Sequence, residues 1–135
     1  MARQVRPPSD YKILVIDDDV DMLMYLRVIA EQVGYQVLTA SSGNEGLQII
    51  HTDRPDLIVC DVMMPPPNGF DLRKILNEDP ELADIPFIFL TGRRAGADKQ
   101  FALIGLLADD YITKPCERKD FLARVEKALH KDEIL

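Results

Sequence analysis

Runs of four or five apolar residues alternate along this chain with longer segments whose apolar residues recur every three or four positions. Lys12-Ile13-Leu14-Val15-Ile16 is nearly continuous, which suits a strand covered on both faces. Met22, Leu23, Leu26, Ile29, Ala30 and Val33 then mark one helical face, closed by Gly34 at a C′ position. Tyr35 to Thr39 reads as a second strand, and Ser42-Gly43-Asn44-Glu45 is a capping-box pattern opening a helix with Leu47, Ile49 and Ile50. A third strand covers Leu57-Ile58-Val59-Cys60. Asn68 then caps a helix through Phe70, Leu72, Ile75 and Leu76, which stops before Pro80. Phe87-Ile88-Phe89-Leu90 is a fourth strand, residues 97–107 a fourth helix, and Tyr111-Ile112 a short fifth strand. Phe121, Leu122, Val125, Ala128 and Leu129 mark a final helix.

Five strand–helix units in this order predict an α/β fold: a five-stranded parallel sheet with helices on both faces. Right-handed crossovers favour the doubly wound, flavodoxin-like strand order 2-1-3-4-5. The expected domain covers residues 11–131, after a tail at 1–10 punctuated by Pro7-Pro8 and before a short end or linker at 132–135. A chain of 135 residues buries roughly two-thirds of its unfolded surface. Two cysteines are too few for a disulfide scaffold and point to a reducing, cytoplasmic setting. No apolar run approaches the ~20 residues of a membrane helix, and the start of the chain lacks the apolar core of a secretory signal. The net charge of −7 argues against direct contact with nucleic acid.

In such sheets, ligands bind beyond the carboxyl ends of the strands, where the winding direction reverses. Strand one is followed by Asp17-Asp18-Asp19, strand three by Asp61, strand four by Thr91 and strand five by Lys114-Pro115. Strand two ends in Thr39-Ala40-Ser41 and offers nothing comparable. In the order 2-1-3-4-5 the four strands carrying polar ends are contiguous, so their groups converge on one edge. Carboxylates that close cannot all stay ionised unless a cation joins them. Oxygen donors without His or Cys favour Mg²⁺. With Lys114 as a second positive charge and Thr91 as a hydroxyl donor, the set is a cradle for a phosphoryl group on Asp61. Such chemistry asks for positioning and charge neutralisation.

These segments resemble the receiver domains of two-component response regulators. The resemblance rests on four motifs in order: Ile13-Leu14-Val15-Ile16-Asp17-Asp18-Asp19, Asp56-Leu57-Ile58-Val59-Cys60-Asp61 through Pro65-Pro66-Pro67-Asn68-Gly69, Phe89-Leu90-Thr91-Gly92, and Ala108-Asp109-Asp110-Tyr111-Ile112-Thr113-Lys114-Pro115. It implies that Asp61 is the phosphoacceptor. It also implies that Asp18, Asp61 and the Met63 carbonyl bind Mg²⁺ directly, with Asp17 acting mainly through a water. Lys114 would pair with the phosphate, Thr91 would hydrogen-bond it, and Tyr111 would be the aromatic switch that follows Thr91. The Lys114–Pro115 bond is expected to be cis. The donor would be the phosphohistidine of a sensor histidine kinase or phosphotransfer protein. Several positions depart from the usual pattern: Gly92 stands where Ala is common, Leu107 where Gly usually ends the fourth helix, and Cys116 where Phe is common. Met63 and Arg93 occupy variable positions that bear on the lifetime of the acyl phosphate.

Other readings are weaker. Asp19 suits an N-cap, but three carboxylates after a buried strand exceed what a cap requires. His51 and His130 lie on helices without a partner at metal spacing and are read as solvent-facing. Cys60 reads as a small buried hydrophobe. The fourth helix carries Phe101, Ala102, Leu103, Ile104, Leu106 and Leu107, apolar on more than one side. That surplus points either to contact with a partner or to a helix that is unusually buried or shorter than drawn. The resemblance implies that the surface of this helix, the fifth strand and the final helix changes on phosphorylation, which makes it the expected place for a homodimer or output-domain contact. The alternative function is a small Mg²⁺-dependent phosphatase of haloacid dehalogenase type, which shares the aspartate nucleophile. Asp17-Asp18-Asp19-Val20-Asp21 lacks the Thr or Val that ends that group's first motif. A nucleotide- or flavin-binding module lacks its glycine loop here. The receiver is therefore expected to catalyse only its own phosphorylation and dephosphorylation.

Overall fold

The structure is a computed structural model, and it describes residues 6–92 and 108–130. The strands β1 (Lys12–Ile16), β2 (Gln36–Ala40), β3 (Leu57–Asp61), β4 (Phe87–Thr91) and β5 (Asp110–Thr113) form one sheet ordered β2-β1-β3-β4-β5. Every neighbouring pair is parallel. Among the described residues the helices are α1 (Val20–Val33), α2 (Gly43–Asp53), α3 (Gly69–Asn77) and α4 (Arg118–Leu129), with a 3₁₀ turn at Pro8–Asp10. The expected helix at 97–107 lies outside the described residues, as does Arg93. No helix among the described residues is long and apolar enough to cross a membrane.

Successive strand residues feed two cores, one on each face of the sheet. Ile13, Val15, Leu57, Val59, Ile88 and Leu90 pack with Leu23, Leu26 and Ile29 of α1 and Phe121 and Val125 of α4. Leu14, Ile16, Ile58, Cys60, Phe87 and Phe89 pack on the other face with Ile50 of α2 and Leu72 and Leu76 of α3. This two-sided burial is why the strands read as unbroken apolar runs.

Local signals place the helix ends. The Asp19 carboxylate accepts from the Asp21 and Met22 amides at 3.0 and 3.3 Å. Gly34 takes φ 112°, which a left-handed C-terminal turn demands. Asn68 and Asp71 form a reciprocal capping box. The box expected at Ser42 differs: Ser42 accepts from the Glu45 amide, but the Glu45 carboxylate accepts from the Ser41 amide instead of that of Ser42. The second strand starts one residue later than expected, because the Tyr35 amide still bonds the Ala30 carbonyl at the end of α1. On α3 the expected apolar face is also revised. Ile75 is 43% exposed while Arg73 is 2% exposed. Arg73 can be buried because it donates to Asn77 and to the Ala83 carbonyl and lies 5.4 Å over the Phe87 ring.

Candidate functional site

The carboxyl ends of β1, β3, β4 and β5 meet at the point where the winding reverses between β1 and β3. Beyond β1, the Asp17 amide donates to the Ala40 carbonyl of β2, which extends the ladder between the two strands to Asp17. Asp17 is fully buried, and its Oδ1 accepts from the Asp19 amide at 3.0 Å. Asp61 closes β3 and is 2% exposed. Its Oδ1 accepts from the Met63 amide at 2.9 Å. Lys114 follows β5, and its amide donates to the Thr91 carbonyl at 2.7 Å. Its Nζ lies 2.6 Å from Asp17 Oδ2 and 3.1 Å from Asp61 Oδ2. The Lys114–Pro115 peptide is cis as expected, and so is Pro66–Pro67.

Two features of this cluster are costly without a further group. First, burial pushes the Asp17 carboxyl up to about 6, and the charge of Asp61 adds to the rise. The Lys114 ammonium and the Asp19 amide offset only part of it. Burial acts to lower the Lys114 ammonium as well, but the Asp17 and Asp61 carboxylates outweigh it and hold it above its ordinary value. Second, the buried Thr91 hydroxyl has no hydrogen-bond partner among the described residues. A lone buried hydroxyl costs on the order of 1–3 kcal/mol, so its presence fits a site built for an incoming acceptor.

Asp17, Asp18 and Asp61 each offer a carboxylate oxygen, and these three atoms lie within 4.8 Å of one another. Asp18 is exposed and forms the open side of the set. Hard oxygen donors, excess negative charge and one open side fit a small divalent cation that keeps some of its waters.

The structure thus brings together Asp17, Asp18, Asp61 and Lys114, with Thr91 at the adjacent strand end. Met63 is 61% exposed on the loop after β3 and touches the site through its amide. Tyr111 is half-buried on β5 against the second core. Among the described residues, a Cβ at Gly92 would meet nothing within 4 Å. His51 is exposed as expected. His130 is not simply solvent-facing, since it is half-buried with its ring 5.3 Å edge-on to Tyr11. Burial pushes the Cys60 thiol well up, as befits an inert core residue.

Two features escaped the sequence reading. Val20, Met24 and Val28 form an exposed apolar strip on α1 beside the site. Their spacing of four was visible, but it was overshadowed by the buried set on the same helix. Tyr25, next to that strip, donates from its hydroxyl to the Cys116 carbonyl at 2.9 Å. No local signal announces that contact, which spans 91 positions.

Comparison with known proteins agrees with the geometry. The model of the response regulator receiver domain family matches residues 13–126. The chain belongs to this family, whose members are signalling domains of two-component systems, phosphorylated in a Mg²⁺-dependent manner. It is 41% identical over 123 residues to the alkaline phosphatase synthesis transcriptional regulatory protein PhoP of Bacillus subtilis, spanning 91% of this chain and 50% of that protein. It is 40% identical over 117 residues to the heme response regulator HssR of Staphylococcus saprophyticus, spanning 86% of this chain and 50% of that protein. The chain therefore spans about half the length of these curated relatives. Among solved structures, it matches the signal receiver domain of a signal transduction histidine kinase from Syntrophus aciditrophicus with a TM-score of 0.82 and 33% identity, covering 93% of this chain and 94% of that one. A Francisella response regulator receiver domain matches with a TM-score of 0.81 and 32% identity, over 90% and 98% of the two chains. These matches give the phosphatase alternative no support.

Proposed function

We propose that this receiver takes a phosphoryl group onto Asp61 from the phosphohistidine of a sensor histidine kinase or phosphotransfer protein. The observation that carries the reading is the convergence of Asp17, Asp61 and Lys114 beside the Thr91 hydroxyl, which has no partner among the described residues. The phosphorus–nitrogen bond of the donor breaks as a bond from phosphorus to an Asp61 oxygen forms, and the imidazole leaves with the electron pair. The Met63 amide on Asp61 Oδ1 orients the attacking carboxylate. Lys114 neutralises charge on the transferred group and remains paired with it afterwards. Thr91 donates its hydroxyl to a phosphate oxygen. Tyr111, on the strand beside β4, then follows as the aromatic switch.

Asp18, Asp61 and the Met63 carbonyl would hold Mg²⁺, with Asp17 acting through a water. With Mg²⁺ held there, positive charge would offset the charge of the phosphoryl group and of the crowded carboxylates. Dephosphorylation returns Asp61 by attack of water on phosphorus, and the domain turns over no metabolite.

The exposed strip Val20, Met24 and Val28 is the proposed resting place for the donor protein, since an apolar surface beside the acidic site suits a transient partner. Residues 97–107, with β5 and α4, are the proposed contact for a second copy or an output domain. The acidic domain is proposed to make no direct contact with nucleic acid, and the proposed setting is cytoplasmic. The test is intact mass after incubation with acetyl phosphate and Mg²⁺. A single phosphoryl adduct on the wild type and none on Asp61→Asn is expected. A folded wild type that gains no adduct from either acetyl phosphate or a phosphohistidine protein contradicts the proposal.

A further inference from the structure

Lys114 is carried by a segment with few internal restraints. Its four-carbon stem is flexible. The next residue, Pro115, has no amide hydrogen, and Glu117, at the N-cap of α4, makes no side-chain capping bond. Two main-chain anchors bracket it. On one side the Lys114 amide donates to the Thr91 carbonyl at 2.7 Å. On the other, the Cys116 carbonyl accepts from the Tyr25 hydroxyl at 2.9 Å.

The second anchor crosses between elements with different roles. Tyr25 belongs to α1, the helix that begins immediately after Asp17, Asp18 and its cap Asp19. Cys116 lies two residues beyond Lys114. The bond therefore ties the loop that carries the cation to the helix continuous with the anions it must face. The ring is 41% exposed, so it contributes little to the core, and its polar end makes the defined contact.

We infer that Tyr25 is a positioning residue for Lys114: its hydroxyl, by holding the Cys116 carbonyl, keeps the Lys114 ammonium aligned with Asp61 for phosphoryl transfer. The inference rests on the role proposed for Lys114 above. Misplacement of a charge-neutralising group by a fraction of an ångström lowers a transfer rate, because the group acts only where charge develops. A purely structural hydroxyl would instead lower global stability and leave the local order around Lys114 in step with the rest of the fold.

Tyr25→Phe removes the hydroxyl and keeps the ring. Two measurements on this variant and the wild type decide the matter. With acetyl phosphate and Mg²⁺, the maximal phosphorylation rate is expected to fall about three- to tenfold, with a smaller change in the half-saturating acetyl phosphate concentration. In hydrogen exchange on the unphosphorylated proteins, the Lys114 amide is expected to exchange at least several-fold faster in the variant, while the Val15 amide in β1 keeps its rate. Equal phosphorylation rates in the two proteins overturn the inference. So does Lys114 exchange that rises no more than that of Val15. A wild type that takes up no phosphoryl group from either acetyl phosphate or a phosphohistidine protein contradicts the phosphoacceptor reading instead, and the exchange comparison then decides the Tyr25 anchor by itself.

Discussion

The Lys114 ammonium lies closer to Asp17 than to Asp61, at 2.6 Å against 3.1 Å, although Asp61 is the proposed site of chemistry. The cation is thus held in place by a neighbour that does not react and stays in reach of the residue that does. Lys114→Ala removes the contact that lowers the Asp17 carboxyl most. Carbon-detected titration of the Asp17 carboxyl in divalent-free buffer should then give a midpoint above the wild-type value of about 6. Phosphorylation by acetyl phosphate should slow by about tenfold or more. An unchanged Asp17 midpoint would show that the ion pair is absent in solution.

Asp17 itself links the site to stability. Its folded value of about 6 stands above the ordinary 3.8, so the fold favours the protonated acid. That favourable contribution is complete below about pH 3.8 and is lost as pH rises through about 6. At pH 7.5 without divalent cation, Asp17→Asn should therefore raise unfolding free energy by about 1–2 kcal/mol, and the gain should vanish near pH 4. The same variant should gain less stability from added Mg²⁺ than the wild type does. Urea titrations at the two pH values, with and without the ion, check all three outcomes.

Thr91 offers a case where stability and signalling separate. Its hydroxyl is buried and unpartnered among the described residues. Thr91→Val keeps the shape and removes the polar atom, so the unphosphorylated protein should be as stable as the wild type or more stable by about 1 kcal/mol. The phosphorylated form should lose its distinct conformation, read as the disappearance of phosphorylation-induced shifts of the Tyr111 ring resonances. A destabilised unphosphorylated variant would mean that the hydroxyl has a partner in solution.

Much of this site was legible in the sequence because its parts sit at strand ends. Runs such as Ile13 to Ile16 and Leu57 to Cys60 mark strands buried on both faces, and strand order then brings Asp17, Asp61, Thr91 and Lys114 to one edge. What stayed hidden depends on contacts between distant segments. Arg73 reads as a surface residue of α3, and only the Ala83 carbonyl and the Phe87 ring explain its burial. Ile75 was read into the core because periodicity alone does not settle which flank of a short helix faces the sheet. Tyr25 is the single aromatic residue of α1, and nothing local marks it until the Cys116 carbonyl is placed against it. The exposed strip of Val20, Met24 and Val28 was masked by a helix whose other face satisfied the expected pattern.

Close packing supports the loop after Asp61. A Cβ at Gly43 would collide with the Pro67 carbonyl oxygen and lie 2.6 Å from the Pro67 ring. Backbone cannot yield as a side-chain tip can, so Gly43→Ala must displace the segment Pro65–Pro67 or the start of α2. A loss of about 1–3 kcal/mol is expected, measured by urea unfolding. A Cβ at Gly46 would meet the Ile16 side chain, with Cδ1 at 2.5 Å and Cγ1 at 3.1 Å, and not backbone, so Gly46→Ala should cost less. The reverse ranking would contradict the packing described here.

The central claim is that the phosphoryl group resides on Asp61. Borohydride reduction of the phosphorylated protein, followed by peptide mass analysis, tests it at the level of the atom, because an aspartyl phosphate is reduced to homoserine. Homoserine is expected at position 61 in the wild type and at no position in Asp61→Asn. Homoserine at another aspartate of the wild type, with Asp61 intact, would contradict it.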